Sequence, residues 1–130
     1  VGNFKLSNRS LQKLEDCEEN LIVVAKRGIE ITPYDFAITC GLRTMSEQKD
    51  LFSKGLTQTL MSRHLPNKAG LSEAFDFAVY IGGKLTWNLK YYRPVVQAFF
   101  TAAIELGVQI ESGILWKTFI DGPHIQLRRK

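Results

Sequence analysis

The chain has 130 residues and a mass of 14.8 kDa, enough for one domain that buries a core without disulfide staples. Apolar residues make up 45% and charged residues 23%, with a net charge of +4, which excludes a disordered chain, a collagen-like repeat and a disulfide scaffold. The only histidines are His64 and His124 and the only cysteines Cys17 and Cys40, which excludes a four-cysteine zinc ribbon and a three-histidine zinc site.

Leu11, Leu14, Cys17, Leu21, Val24 and Ala25 form one apolar stripe, so Ser7 to about Arg27 is predicted as a helix that stops at Gly28. Thr32-Pro33-Tyr34-Asp35 is turn chemistry. Phe36 to Leu42 alternates like a half-buried strand, with Phe36, Ile38, Cys40 and Leu42 facing a core and Ala37, Thr39, Gly41 and Arg43 facing away. Thr44 and Glu47 have capping-box spacing and open a helix over about Met45 to Ser53, ended by Gly55. Leu56 to Leu71, with Pro66, Asn67 and Gly70, reads as a long loop of the kind that often carries function.

Ala74 to Ile81 alternates again, with Phe75, Phe77, Val79 and Ile81 on one face and Ala74, Asp76, Ala78 and Tyr80 on the other. Gly82-Gly83 predicts a two-residue hairpin turn into Lys84 to Trp87. A further helix is predicted over about Tyr92 to Leu106, with Pro94 in its first turn and Gly107 just past its end. Short strands are predicted over Val108 to Glu111 and Pro123 to Leu127. In the last, Ile125 and Leu127 face the core while His124 and Gln126 face away.

This pattern is α+β: a small, mainly antiparallel sheet with helices on one face and a cleft on the other. The uncovered parity carries Arg43, Asp76 and His124, with room left by Gly41, Ala74 and Ala78. A catalytic zinc takes three protein ligands and keeps one open position, and His64, Asp76 and His124 can supply that set. Asp121, three residues before His124 on a Gly122-Pro123 turn, brings in a carboxylate that need not ligate. Arg43 can hold a substrate carboxylate or a developing oxyanion.

Each residue also has a plainer reading. A lone buried histidine is more often hydrogen-bonded core, Asp121-Gly122 is first of all a turn, and Arg43 could pair with a surface carboxylate. Trp87 and Trp116 read first as core or rim aromatics. Asp76 is hardest to dismiss, because an ionised carboxylate among apolar strand residues needs a partner.

The basic balance attracts polyanions without choosing among nucleic acid, anionic lipid and bacterial wall. The Arg128-Arg129-Lys130 tail reads as a solvated end. No helix-turn-helix, zinc-finger or aromatic RNA-binding signature is present, so no nucleic-acid partner is expected. No segment reaches the roughly 20 apolar residues that span a bilayer, and Val1 to Leu6 lacks a signal-peptide core. Synthesis in the cytosol or a cleaved mature form, with free thiols and no stable membrane insertion, is therefore expected.

Four blocks resemble the phage endolysin zinc peptidases of the D-alanyl-D-alanine carboxypeptidase and L-alanyl-D-glutamate endopeptidase group. They are Gly41-Leu42-Arg43-Thr44 with Glu47-Gln48, Ser62-Arg63-His64, Ala74-Phe75-Asp76, and Trp116 through Asp121-Gly122-Pro123-His124-Ile125-Gln126-Leu127. The wider superfamily includes lysostaphin-type peptidases and the hedgehog signalling domain. The resemblance implies one zinc held by His64, Asp76 and His124, with Asp121 as general base and Arg43 on substrate or oxyanion. It further implies that Gln48 supports Arg43, and that Ser62 and Trp116 act as support or substrate contacts.

A single zinc peptidase domain over residues 1–130 follows, a monomer acting on bacterial peptidoglycan. It would be made in the host cytoplasm and reach the wall after release. The chain departs from the family pattern twice. Eleven residues separate His64 from Asp76, where six are usual and Ser72 replaces a glycine, which implies an insertion around Pro66 to Gly70. Gly113-Ile114-Leu115 replaces a more polar run before Trp116. A D-alanyl-D-alanine carboxypeptidase and a zinc-stabilised wall-binding module without turnover are the alternatives.

Overall fold

The apolar stripe of the N-terminal segment is split between two helices, α1 (Asn8–Leu14) and α2 (Glu19–Ile31), instead of forming the one helix expected. The break is a tertiary effect. Ser72 donates its N–H to the Asp16 carbonyl at 2.8 Å and accepts from the Glu18 N–H at 2.9 Å, so the chain between the helices pairs as a one-residue bridge at Cys17. The structure is a computed structural model that describes residues 3–57, 59–115 and 120–129.

Gly28 does not stop α2. It lies inside the helix, where an added Cβ would come within 2.8 Å of the Phe99 ring, so its missing side chain lets the long C-terminal helix pack close. The helix ends at Thr32, whose backbone is extended (ψ 141°) ahead of Pro33.

Strand β1 covers Asp35–Cys40 and helix α3 covers Met45–Ser53, the latter opened by the reciprocal Thr44–Glu47 capping box. Strand β2 is Ala74–Ile81, and Gly82 and Gly83, both at positive φ, turn it into β3 (Lys84–Thr86). Helix α4 is Leu89–Leu106, starting earlier than expected because the Asn88 side chain caps the Lys90 N–H at 3.1 Å. Pro94 therefore sits in its second turn. The chain ends with β4 (Ile110–Ser112), a 3₁₀ turn at Gly113–Leu115 and β5 (His124–Leu127).

The sheet runs β1-β2-β5-β4, with β3 also paired to β2, and every pairing is antiparallel. Phe36, Ile38, Phe75, Phe77, Val79 and Ile125 cover one face, as the alternation predicted. Against them pack Leu21, Val24 and Ala25 of α2 and Val95, Phe99 and Ala102 of α4. Phe99 stands edge-on to Phe36, Phe75 and Phe77 at centroid distances of 4.8, 5.3 and 5.0 Å. Burying such a ring contributes about 1.5–3 kcal/mol, and each edge-on pair about 0.5–1.5 kcal/mol more. Trp87 lies at the rim, 61% exposed and stacked on Tyr92. No helix among the described residues is long and apolar enough to cross a membrane.

Candidate active site

Strand register builds the uncovered face. Asp76 of β2 lies opposite His124 of β5, and antiparallel partners point to the same side. On its other flank Asp76 lies opposite Cys40 of β1. That pairing corrects the expected alternation. Ile38 pairs with Phe77 and Cys40 with Asp76, so Thr39 is an extra residue in β1 and the strand is bulged there. Cys40 thereby leaves the core side and joins the site. Its Sγ lies 3.9 Å from His64 Nδ1 and accepts from Arg43 at 3.5 Å. Leu42 lies beyond the end of β1, half-buried.

His64 comes from the loop, not from the sheet. The Ser62 hydroxyl accepts the His64 N–H at 3.1 Å, and the Arg43 N–H donates to the His64 carbonyl at 2.8 Å. The ring's Nδ1–H donates to the Gly41 carbonyl at 2.8 Å. Gly41 can offer that carbonyl because an added Cβ there would collide with the Lys13 backbone oxygen. Ser72, at the family's glycine position, is fully buried and donates its hydroxyl to the Ala74 carbonyl at 2.7 Å.

The segment Pro66 to Gly70 forms a pinned turn. Asn67 Oδ1 accepts from the Ala69 and Leu71 N–H groups, while its amide donates to Glu18 at 2.6 Å and Glu73 at 3.2 Å. Glu73 also receives Arg129 at 3.0 Å, so Arg129 of the basic tail is tied down. Burial alone would raise the Glu73 pKa, but Arg129 and Asn67 outweigh it and hold it below the ordinary 4.5. The stability from these contacts is therefore present above about pH 4.5 and lost as the pH falls through the lowered folded value. Glu73→Gln is expected to flatten the fall in melting temperature between about pH 5 and about pH 3. Thermal melts across that range check this; a slope as steep as the parent's would count against it.

Three acceptors converge at the centre. His64 Nε2 and His124 Nδ1 each lie 3.1 Å from the same oxygen, Asp76 Oδ1, while Asp76 Oδ2 lies 3.5 Å from the Arg43 guanidinium. The outer ring nitrogens are engaged elsewhere: His64 Nδ1 by the Gly41 carbonyl and His124 Nε2 by Gln126 Oε1, both at 2.8 Å. In a neutral imidazole only one nitrogen carries hydrogen. With the outer ones protonated, both inner lone pairs aim at one carboxylate oxygen. Such an arrangement needs positive charge between its members, either protons or a cation.

The same demand appears in the electrostatics. Burial alone would lower the His64 pKa, but Asp76 and Cys40 raise it to about 10. Burial alone would raise Asp76, but the two histidines hold it well below the carboxylate range. These residues fit a divalent metal that accepts nitrogen and oxygen donors. Two overlapping groups have ligand atoms within 4.8 Å of one another: Cys40, His64 and Asp76, and Asp76, Asp121 and His124. Asp76 is common to both.

The cysteines differ sharply. Burial pushes the Cys17 thiol up to about 12, so it stays a neutral core group. Burial would also raise Cys40, but the adjacent His64 outweighs it and the thiol lies below its usual value.

Asp121 lies beside the three convergent groups, with a carboxylate oxygen within 4.8 Å of ligand atoms of Asp76 and His124. Its backbone is set by Gly113, whose carbonyl accepts the Asp121 N–H at 3.0 Å and where any Cβ would collide with the Asp121 main chain. Burial first, and then the Asp76 charge, raise the Asp121 pKa, which suits a proton carrier. Arg43 is held by Gln48, which is fully buried, accepts from Arg43 at 2.8 Å and donates to the Thr59 carbonyl at 2.7 Å. His64, Asp76, His124, Asp121, Arg43, Gln48 and Ser62 are thus brought to one region. Trp116 lies outside the described residues. The sequence reading overlooked Cys40, which the bulge redirects, and the Gln126 side chain, whose spacing of two from His124 signalled a shared face.

The chain has relatives among known proteins. The family model for phage L-alanyl-D-glutamate peptidase matches residues 2–128. The L-alanyl-D-glutamate peptidase of Escherichia phage T5 is 32% identical, over 96% of this chain and 98% of that protein. The enzyme of the same name from Listeria phage A118 is 28% identical over 95% of this chain, which spans 42% of that longer protein. The crystal structure of the L-Ala D-Glu endopeptidase ChiX from Serratia marcescens superposes with a TM-score of 0.86 at 32% identity, covering 97% of this chain and 92% of that one. By full-length sequence match and by fold, the chain belongs to the phage L-alanyl-D-glutamate peptidase family.

Proposed function

We propose that this chain cleaves the bond between L-alanine and D-glutamate in the stem peptide of bacterial peptidoglycan, using one zinc ion held by His64, Asp76 and His124. The observation that carries the metal site is the convergence of His64 Nε2 and His124 Nδ1 on a single Asp76 oxygen. The choice of bond rests on family membership and on the activities for which the relatives are named. When bound, zinc supplies a Lewis acid that polarises a carbonyl and acidifies a water.

The remaining roles belong to the chain. The Asp121 carboxylate takes a proton from the attacking water and returns it to the departing amine nitrogen, so one residue serves as base and then acid. Arg43, fixed by Gln48, donates to the scissile carbonyl oxygen as that atom gains charge. Ser62 and the Gly41 carbonyl hold His64 in its loop. Trp116, in the closing family block, is proposed as a support or substrate contact. The expected site of action is the cell wall, reached from the host cytoplasm after release.

Digestion of purified muropeptides, read by mass spectrometry, tests the assignment. New peptides beginning at D-glutamate are expected. Loss of a single terminal alanine would point instead to a D-alanyl-D-alanine carboxypeptidase, and wall binding with no new amino group would leave only a binding module.

A further inference from the structure

We propose that Glu111, acting through Gln126, decides which nitrogen of His124 carries the hydrogen and so leaves the Nδ1 lone pair to the metal site. This rests on the zinc site proposed above. Glu111 and Gln126 are direct partners across β4 and β5, and Gln126 follows His124 by two residues on the same face of β5. Gln126 Nε2 donates to Glu111 Oε1 at 2.8 Å, and Gln126 Oε1 lies 2.8 Å from His124 Nε2.

The chain of donors runs one way. An ionised carboxylate has only acceptors, so Glu111 draws the amide NH₂ of Gln126 toward itself. The amide oxygen is then turned toward His124, and it can only accept. His124 must therefore carry its hydrogen on Nε2, which leaves the Nδ1 lone pair for the Asp76 side. A flipped amide would set two oxygens against each other at 2.8 Å. Gln126 and His124 are 9% and 5% exposed, so water does not relieve that repulsion. Glu111 and Gln126 are positioning residues; neither needs to touch the reacting atoms.

Glu111→Lys reverses the chain. A lysine at 111 donates to Gln126 Oε1 and turns the NH₂ toward His124 Nε2, which must then accept, so the hydrogen moves to Nδ1. Zinc affinity, measured by competition with a chromogenic chelator, is expected to fall about 10- to 100-fold. Adding Gln126→Glu to that variant restores an acceptor beside His124 Nε2 and pairs it with the lysine, so most of the lost affinity should return. In ¹⁵N spectra of the zinc-loaded parent, His124 should carry hydrogen on Nε2 and show the coordination shift on Nδ1.

Circular dichroism melts confirm that each variant is folded. A folded Glu111→Lys protein with parental affinity, or a double variant as weak as the single one, overturns the proposal. Should Glu111→Lys not fold, the parent spectrum decides: hydrogen on Nδ1 of His124 overturns it. A parent that binds no zinc overturns this proposal and the metal site together. Parental zinc binding untouched by Glu111→Lys removes only the role of Glu111.

Discussion

Asp121→Ala is expected to slow stem-peptide cleavage by roughly 10²–10⁴-fold while leaving the fold and the zinc content in place. The size follows from the role. A positioned carboxylate that both removes and returns a proton acts in the transition state and contributes little to holding the ground state. The position follows from the structure. A carboxylate oxygen of Asp121 lies within 4.8 Å of ligand atoms of Asp76 and His124. His64 and His124 are already committed to Asp76 through their inner nitrogens. The proposed base role falls to Asp121, whose pKa burial and then the Asp76 charge raise. Rates on purified muropeptides with metal content measured in parallel check this. Parental turnover in the alanine variant would exclude Asp121 as the base, and loss of zinc would reassign it as a ligand.

Asp76→Ala is expected to remove zinc binding, bring cleavage to background and destabilise the metal-free protein by about 3–5 kcal/mol. All three effects have one origin. Asp76 touches both histidines and Arg43, and its side chain is 22% exposed, so water replaces it poorly. Without it, the Arg43 charge and the two imidazoles lose their common acceptor inside a strand. Denaturant melts in chelator separate the stability loss from the loss of metal. Cys40→Ser is the matched control. Cys40 neighbours the outer nitrogen of His64, not the inner one, so zinc stoichiometry should hold in that variant. A Cys40→Ser protein without zinc, or an Asp76→Ala protein with a full equivalent, would replace the proposed ligand set with the cysteine-containing group.

Local signals carried much of the architecture. The alternation in β2 sent Phe75, Phe77 and Val79 inward and left Asp76 on the open face. The same rule separated Ile125 from His124 and Gln126 in β5. The Thr44–Glu47 box and the Gly82-Gly83 turn marked their elements because capping and positive φ are satisfied within a few residues. Of the proposed ligands, Asp76 and His124 were legible from strand parity. His64 sits in a loop without period; as one of only two histidines it entered the candidate set by count, and the family blocks added its motif.

What escaped the sequence lies where distant segments meet. The N-terminal stripe reads as one helix, but hydrogen bonds to Ser72 break it between α1 and α2. Perfect alternation placed Cys40 in the core, but one unpaired residue at Thr39 reverses its side, and no composition marks that bulge. Pro66 to Gly70 could be recognised as extra, yet its path depends on Asn67 finding Glu18 and Glu73. Two histidines and one aspartate were named by sequence alone. The outer nitrogen of each ring meets a partner from elsewhere, the Gly41 carbonyl and the Gln126 side chain, which only loop packing and strand pairing deliver.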